Sequence, residues 1–420
     1  MSIRRPSHAR LLVRRGLLMT LAAQVAAVAS LMITTKIRKT FRDKDVGELP
    51  SAEPTRHAIN DGSAATTYTY GATLFEDMLD AISRADDRIL LETYIIKNDA
   101  MGRRFRTALV EAAARGVSVH VIYDGFANLV VRRSFFDFPG VEIMKYPVLS
   151  SCQLLNPRRI GRDHRKILVI DESVAFVGGY NIGDSYATEW RDTHVKIEGP
   201  AVWDLDNAFI DFWNTPRRRL FRRAIEPNHL EPRGTAGWQP QIRAHRNVPR
   251  QLMFPIRGMY LEAIDRAHYS IDITAAYFIP DHDILQAILQ ARRRGVAVRI
   301  LVPRVSNHVV TDWLSRGFYG DLLRAGVEIH RYRDHMVHAK TATIDGEWST
   351  IGTANIDRLS LTGNYEINLE ILDPGLAKGM QEMFEVDLGN SDRLTRREWD
   401  ERPLVKRIYE LILKPLGPLL

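Results

Sequence analysis

The pattern of hydrophobic and polar positions alternates along the chain between the spacing of helices and that of strands. A helical pattern ends at residues 81–85, and the strand-like run 89–96 follows it. The next helical pattern ends with Arg115-Gly116-Val117, directly before the run Val-Ser-Val-His-Val-Ile-Tyr-Asp. This alternation predicts α/β units built on a mainly parallel sheet.

The same order of elements recurs in the second half of the chain. The matching landmarks there are a helix end at 263–267, a strand-like run at 271–279 and the tripeptide Arg294-Gly295-Val296 before a second β-branched run. The offset between matched landmarks drifts between 174 and 186 positions, as expected when surface loops gain or lose residues. The sequence therefore predicts a duplication. Its two units cover residues 60–215 and 251–400, and residues 216–250 form a basic linker rich in proline and arginine.

Residues 16–35 are a 20-residue stretch without a charge, long enough as a helix to cross a bilayer. We interpret it as a transmembrane or signal-anchor helix behind a basic N-terminal segment, residues 1–15. A signal peptide cut near residues 27–29 and a helix lying in the membrane interface are the alternatives. Basic residues bracket the stretch on both sides, so its orientation stays open.

The tail at residues 401–420 has an amphipathic helical pattern. It places four apolar side chains near one face, namely Leu404, Ile408, Leu411 and Ile412. Packing on the second unit and lying on a membrane both explain such a face.

Composition narrows the class of protein. With 420 residues, 45% hydrophobic and 26% charged, the chain is not collagenous, wholly disordered or a polytopic membrane protein. The net charge of +7 favours anionic partners, either phospholipid headgroups or nucleic acid. The single cysteine, Cys152, rules out an intramolecular disulfide and a cysteine-rich zinc site.

The strongest chemical signal is a motif that occurs once in each unit, His-x-Lys-x4-Asp followed by Gly-x-x-Asn. Its residues are His164, Lys166, Asp171 and Asn181 in the first unit and His338, Lys340, Asp345 and Asn355 in the second. Each matched pair is separated by 174 positions, so the two motifs stand in register within the duplication. One such motif could belong to a strand with a satisfied core histidine, but chance does not explain the repeated motif.

The chemistry of these residues points to a phosphodiester site. The pattern predicts that each histidine and lysine share one face of a strand entering the core. Strands from two copies can then bring both pairs together, with one imidazole as nucleophile and the other as general acid. The lysines and the asparagines Asn181 and Asn355 would hold the phosphate oxygens. The motif aspartates, Asp171 and Asp345, are counted in the predicted catalytic set with the histidines and lysines, although their side chains are better interpreted as ties between the strand and neighbouring loops.

These residues form the duplicated signature of the phospholipase D superfamily, which the chain resembles from about residue 60 to 400. The resemblance implies two α/β units packed into one pseudo-symmetric core around a shared active site. It also implies phosphodiester chemistry without a metal or other cofactor, through a phosphohistidine. The first-copy histidine, His164, is then the nucleophile and His338 protonates the leaving alcohol, although the reverse assignment remains open.

A second matched pair of acids fits the same resemblance. Asp192 follows His164 by 28 residues, and Glu366 follows His338 by 28. In the family, an acid at this place hydrogen-bonds the histidine of the opposite half. The resemblance therefore implies that Glu366 orients His164 and Asp192 orients His338; a surface salt bridge is the alternative for either acid.

The stretches 178–209, 260–281 and 317–332 resemble bacterial cardiolipin synthases, which join two phosphatidylglycerol molecules and release glycerol. Thr353 stands where that subfamily commonly has serine, and one apolar N-terminal segment stands where its long members have two. We therefore expect a phosphatidyltransferase at a bacterial cell membrane, with phosphatidylglycerol as substrate and an anionic membrane surface as partner. A hydrolytic phospholipase D releasing phosphatidic acid and a nuclease of the same superfamily are the alternatives. The apolar segment favours lipid over nucleic acid; the preferred acceptor alcohol and the oligomeric state stay open.

Overall fold

The structure is a computed structural model. It describes residues 24–34, 49–50, 52–59, 62–148, 161–215, 228–232 and 241–413, together with the single positions 19, 22 and 415. The predicted basic segment 1–15, the arginines at 217–223 and Cys152 lie outside the described residues.

The described residues before position 216 form one α/β unit preceded by a helix. In chain order the elements are α1 (24–34), β1 (Thr55–Ala58), β2 (Ala64–Tyr68), α2 (Gly71–Ser83), β3 (Arg88–Thr93), α3 (Ala100–Ala114), β4 (Ser118–Asp124), β5 (Glu142–Tyr146), β6 (Ile167–Ile170), β7 (Val174–Gly178), α4 (Asp184–Thr188), β8 (Trp190–Arg191), β9 (His194–Glu198) and α5 (Val202–Trp213). Eight of these strands form a sheet in the order β1-β2-β9-β7-β6-β3-β4-β5.

The described residues after position 240 repeat this plan. In chain order the elements are β10 (Ile242–Asn247), α6 (Pro255–Arg266), β11 (Ser270–Ala275), α7 (His282–Arg293), β12 (Ala297–Pro303), α8 (Val309–Arg324), β13 (Glu328–Tyr332), β14 (Met336–Val337), β15 (Lys340–Ile344), β16 (Trp348–Gly352), α9 (Arg358–Thr362), β17 (Glu366–Leu372), α10 (Pro374–Gly389), β18 (Ser391–Leu394), α11 (Arg396–Asp400) and α12 (Leu404–Leu413). The second sheet has the order β10-β17-β16-β15-β11-β12-β13-β18, and β8 of the first half pairs with β14 of the second.

The duplicated Arg-Gly-Val tripeptides end two equivalent helices. Gly116 after α3 and Gly295 after α7 have φ of 98° and 94°, a left-handed conformation that glycine adopts without steric cost. Each helix begins at an aspartate whose side chain accepts a backbone N–H, Asp99 for α3 and Asp281 for α7. The predicted order of helix, glycine and strand is confirmed in both halves.

The sheets are mixed, so the prediction of a mainly parallel sheet is wrong. In the described residues the parallel pairs of the two large sheets are β3-β4-β5 and β11-β12-β13, and their remaining pairs are antiparallel. The reason is local. β6 and β7 are joined by a short turn in which Asp171 and Glu172 have φ of 47° and 55°, and short turns join antiparallel strands.

The second sheet begins inside the segment predicted as a linker. β10 pairs antiparallel with β17 from Ile242 to Asn247. β10 is an edge strand with polar residues, among them the exposed Arg243. Such a strand lacks a clear alternation of apolar and polar positions, so the sequence pattern did not predict it.

The apolar segment at 16–35 is described at positions 19, 22 and 24–34. Among the described residues, no helix has both the length and the apolar character needed to cross a bilayer, so the predicted span is not confirmed. In α1, Leu31 packs in one cluster with Ile279, Leu314 and Leu413. The C-terminal helix α12 contributes Leu413 to this cluster, while much of its predicted apolar face stays in solvent.

The two units share a hydrophobic core. Val195 and Ile197 of the first sheet lie in one buried cluster with Ile351 and Ile367 of the second. A buried ion pair also joins the halves, because Arg191 of β8 binds Asp387 of α10 through two hydrogen bonds of 2.8 and 2.7 Å. This interface holds the two motif segments against each other.

Replacing Asp387 with asparagine is expected to destabilise the protein, because the buried Arg191 charge loses its counter-ion. We expect the midpoint of thermal unfolding to fall by roughly 5 °C or more, since breaking a buried pair costs about 3 kcal/mol. The matched control is Asp400→Asn, whose partner Arg396 is 54% exposed, so its midpoint should stay within about 2 °C. Equal shifts in both variants would contradict a stabilising role for the buried pair.

Candidate active site

Each catalytic motif reaches the interface because the segment before its strand is hydrogen-bonded to the opposite half. The His164 N–H donates to the Tyr365 carbonyl at 3.0 Å, and the His338 N–H donates to the Arg191 carbonyl at 2.7 Å. The histidines therefore precede strands β6 and β15 and do not lie within them. This places both imidazoles at the junction of the two units.

The acids cross over between the halves, as the resemblance implies. Glu366 Oε2 lies 2.9 Å from His164 Nδ1, and Asp192 Oδ2 lies 2.6 Å from His338 Nδ1. Both carboxylates are buried. A carboxylate at Nδ1 holds the proton on that nitrogen, so Nε2 of each ring carries a free electron pair in the neutral imidazole.

The motif lysines join the same cluster. Lys166 Nζ donates to the His164 carbonyl at 2.7 Å, and Lys340 Nζ donates to the His338 carbonyl and lies 2.9 Å from His338 Nδ1. Burial lowers the pKa of Lys166 to about 7 and that of Lys340 to about 8. The positive charge of each lysine lowers the pKa of both histidines. The four side chains therefore act as one electrostatic unit.

The two imidazoles have different electrostatic surroundings. Burial, followed by the Lys340 charge, lowers the pKa of His338 to about 3. Burial also lowers the pKa of His164, where Glu366 opposes the effect. Although burial alone raises it, the pKa of Asp192 is lowered by Lys340 and His338. Both rings are therefore neutral near pH 7 before an anionic substrate enters.

The two motif asparagines, Asn181 and Asn355, are buried. Asn181 Oδ1 accepts the Ile95 N–H at 3.1 Å. The Asn355 Oδ1 atom is buried and has no hydrogen-bond partner within the described residues.

The motif aspartates are not brought to the histidines. Asp171 accepts the backbone N–H groups of Asp86, Asp87 and Arg88, at the amino end of β3. Asp345 does the same in the second unit, at the amino end of β11. Both side chains hold a turn, in line with their interpretation as structural ties.

Three aromatic side chains that the sequence did not single out as catalytic line the histidines. The Tyr94 ring lies 4.7 Å from the His164 ring, and the Trp190 and Tyr277 rings lie 5.0 and 6.2 Å from the His338 ring. Tyr94 directly follows the end of β3 and Tyr277 lies two residues beyond the end of β11, but no local sequence pattern links either residue to the histidines. The three rings form an aromatic wall beside the two histidines.

The described residues contain no group of three or more His, Cys, Asp or Glu side chains placed to hold a metal ion. What the site offers is two neutral imidazoles, two ammonium groups and two buried carboxylates. Such a set can take up a phosphodiester anion, form a bond to phosphorus through Nε2 and move a proton on the opposite side.

The sequence profile described as "Cardiolipin synthase, PLD-like domain" matches residues 78–213 and 260–388, which carry the two motifs. The chain belongs to this family. It is 34% identical over 397 residues to the major cardiolipin synthase ClsA of Bacillus subtilis (strain 168), covering 91% of this chain and 80% of the relative. It is 32% identical over 357 residues to a cardiolipin synthase of Clostridium perfringens, covering 83% of this chain and 75% of the relative. The protein is thus a phosphatidyltransferase of the phospholipase D superfamily.

A solved structure agrees on the fold of the family. The phosphatidylserine synthase of Haemophilus influenzae Rd KW20 superposes with a TM-score of 0.64 at 15% identity, covering 87% of this chain and 95% of its own. At that identity the likeness concerns the fold alone. It includes both α/β units.

The residue after the first motif glycine is Gly179 in the first unit and Thr353 in the second. A Cβ atom at Gly179 would overlap the Asp192 carboxylate. Thr353 instead donates its hydroxyl to Glu366 Oε2 at 2.5 Å and accepts the Ile367 N–H at 2.9 Å. The hydroxyl thus fixes the carboxylate that holds His164.

Removing this hydroxyl is expected to slow the reaction. Thr353→Ala should lower kcat by about tenfold or more, since a hydrogen bond to a charged group is worth about 1.5–3 kcal/mol. Thr353→Ser keeps the hydroxyl and should retain most of the activity, which a steady-state assay can measure. A serine variant as slow as the alanine variant would show that the methyl group, and not the hydroxyl, matters.

Proposed function

We propose that this enzyme condenses two molecules of phosphatidylglycerol into cardiolipin and glycerol through a phosphohistidine on His164. The observation that carries the proposal is the crossed arrangement of the site. Each half supplies one histidine, and the opposite half supplies the carboxylate at its Nδ1. One ring can therefore attack phosphorus while the other handles the proton of the alcohol.

The first step forms the covalent intermediate. The Nε2 electron pair of His164 attacks the phosphorus of one phosphatidylglycerol. The bond between phosphorus and the oxygen of the headgroup glycerol breaks, and the phosphatidyl group stays on His164. His338 gives its Nε2 proton to the departing glycerol. The anionic phosphate favours this protonated state because a neighbouring negative charge raises the pKa of an imidazole. Glu366 stabilises the positive charge that phosphorylation brings to the His164 ring.

The second step returns the enzyme to its starting state. The free hydroxyl of a second phosphatidylglycerol gives its proton to His338 Nε2 as its oxygen attacks phosphorus. The bond between phosphorus and His164 Nε2 breaks, and cardiolipin leaves. Dividing one slow displacement into two steps lowers each barrier. Lys166 and Lys340, together with Asn181 and Asn355, bind the oxygens of the phosphate in both steps.

Transfer requires that an alcohol reach the intermediate before water does. The aromatic wall of Tyr94, Trp190 and Tyr277 supports transfer because it limits the access of water. A hydrolytic phospholipase D would use the same residues with water as the acceptor, and a nuclease would use them on a nucleic-acid backbone. In the proposal the enzyme works at a bacterial cell membrane, where the acceptor lipid is concentrated and where residues 16–35 serve as an anchor.

The decisive experiment incubates the full chain with phosphatidylglycerol vesicles and identifies the lipid products by mass spectrometry. The expected products are cardiolipin and glycerol, and they should be missing with His164→Ala. Phosphatidic acid without cardiolipin would replace the proposal with a hydrolase. If no lipid product forms, cleavage of single- and double-stranded DNA is the next assay.

The reaction is expected to slow as pH rises, because the phosphate-binding lysines lose their protons. With pKa values of about 7 and about 8, Lys166 and Lys340 are cationic at pH 6 and largely neutral at pH 9. The profile of kcat/KM, which reports the free enzyme, should therefore fall by about tenfold or more between pH 7 and 9. A flat profile over this range would mean that the two ammonium groups are not needed.

A further inference from the structure

The loop after β4, residues 125–132, exposes large apolar side chains at its tip. Phe126, Leu129 and Val130 expose 52%, 60% and 94% of their surface. Loop tips are usually polar, and a group of exposed apolar side chains beside a catalytic site calls for a partner.

The base of this loop is tied to the first catalytic histidine. Asn128 Nδ2 donates to the Tyr94 carbonyl at 2.8 Å, and the Tyr94 ring contacts the His164 ring. The guanidinium of Arg162, two residues before His164, lies 5.4 Å from the centre of the Phe126 ring. The apolar tip therefore stands at the edge of the active site.

The corresponding loop of the second unit, residues 304–308, repeats the arrangement. Val305 is 53% exposed. Asn307 Oδ1 accepts the Tyr277 hydroxyl at 2.5 Å, and the Tyr277 ring lies 6.2 Å from the His338 ring. Since β4 and β12 occupy equivalent places in the two sheets, their loops flank the two histidines from both halves.

A third apolar element lies at the same edge. In α1, Leu31 packs on Ile279, which lies four residues beyond the end of β11 and two beyond Tyr277. The outward side of this helix is apolar as well, with exposed fractions of 62%, 60% and 59% for Val25, Met32 and Ile33. The helix thus extends the apolar edge beside the second loop.

Positive charge accompanies the first loop. Arg132 and Arg133 are exposed, and neither has a carboxylate within salt-bridge distance in the part of the chain that the structure describes. Arg304, at the start of the second loop, is by contrast paired with Asp392 at 3.0 Å. Unpaired arginines beside exposed apolar side chains are complementary to the phosphates and acyl chains of an anionic lipid surface.

We propose that these three elements form a docking rim, namely loops 125–132 and 304–308 and the outer side of α1, which seats the active site on an anionic bilayer. The apolar tips enter the boundary between headgroups and acyl chains, and Arg132 and Arg133 lie at the level of the phosphates. The two histidines then face the headgroup layer, so a phosphodiester reaches them without leaving the membrane. This inference rests on the proposed function for its substrate.

The contact can be measured at single positions in the full chain. In a background that carries Cys152→Ser, to remove the native thiol, and His164→Ala, to stop turnover, an environment-sensitive fluorophore is attached at Val130→Cys, Val305→Cys or Tyr269→Cys. Tyr269 is the matched control because it is 78% exposed but precedes β11, at the opposite end of the strands. Phosphatidylglycerol vesicles with spin-labelled lipids should quench the probes at 130 and 305 and leave the probe at 269 unchanged.

The proposal would be overturned if the protein sediments with vesicles but the probes at 130 and 305 stay unquenched. The docking rim would then bind a protein partner or a second copy of the chain. The same result with quenching at 269 would place the membrane contact at the opposite edge. Because this readout needs no turnover, it is independent of whether the enzyme makes cardiolipin.

An activity comparison separates docking from chemistry. Val130→Asp should lower the rate on phosphatidylglycerol vesicles by about tenfold or more, since an apolar side chain is lost from the interface and a negative charge is added. On a short-chain phosphatidylglycerol that stays monomeric, the same variant should remain within about twofold of the wild type, as should Tyr269→Asp on both lipids. Equal losses of Val130→Asp on vesicles and monomers would overturn the docking role, whereas a wild type inactive on both lipids would overturn the proposed function.

Discussion

Replacing His164 with alanine is expected to lower the rate of cardiolipin formation by about 10⁴-fold or more. The variant should also fail to form any covalent adduct with a phosphatidyl group. In the proposed mechanism the Nε2 atom of His164 forms the bond to phosphorus. Apart from His338, no other histidine within the described residues has its ring held by a buried carboxylate from the opposite half. The rate is measured with labelled phosphatidylglycerol, and the adduct is identified by mass spectrometry of the digested protein.

A substrate with an activated leaving group distinguishes the roles of the two histidines. p-Nitrophenolate departs without a proton, so His338→Ala should still release a first equivalent of p-nitrophenol from a phosphatidyl p-nitrophenyl ester. His164→Ala should release none. His229→Ala is the matched control, because this histidine is 65% exposed, pairs with Glu231 and stands outside the cluster. A burst with His164→Ala and none with His338→Ala would reverse the assignment of nucleophile and acid.

The sequence was sufficient to predict the duplication and the residues of the site, but not the direction of the strands in the sheets. The repeated His-x-Lys motif and the acids Asp192 and Glu366 stand at fixed spacings, and the structure places them together. The direction of a strand depends on the length of the connection before it. The alternation of helical and strand patterns does not show that length. The turn at Asp171 reverses the chain within a few residues, so the strand after the motif runs antiparallel to its neighbour.

The aromatic wall could not be predicted from the same pattern. Tyr94 and Tyr277 each stand just after a buried strand, where an aromatic side chain is usually part of the core. Their contact with the histidines depends on the way the two units face each other, and no local pattern contains that information. The packing of α1 on Ile279 is likewise a long-range contact, between residues far apart in sequence.

Two isosteric changes that neutralise the carboxylates should slow the reaction on phosphatidylglycerol to a similar degree, but for different reasons. In the proposed mechanism Glu366→Gln removes the charge that stabilises the phosphorylated His164 ring, so we expect a loss of about 10³-fold or more in kcat. Asp192→Asn removes the charge that favours a proton on His338, whose pKa burial and Lys340 already lower to about 3. Its loss on phosphatidylglycerol should be of similar size.

The activated substrate separates these two losses. Because p-nitrophenolate needs no proton, the first turnover of Asp192→Asn should recover to within about tenfold of the wild type, while Glu366→Gln should stay slow. The chain offers a matched control on the same strand: Glu370 also holds a histidine, His245, at 2.8 Å, outside the catalytic cluster. Glu370→Gln should leave the rates with both substrates nearly unchanged. If Glu366→Gln recovers and Asp192→Asn does not, His338 is the nucleophile, since the carboxylate whose loss an activated leaving group cannot relieve must belong to the ring that bonds to phosphorus.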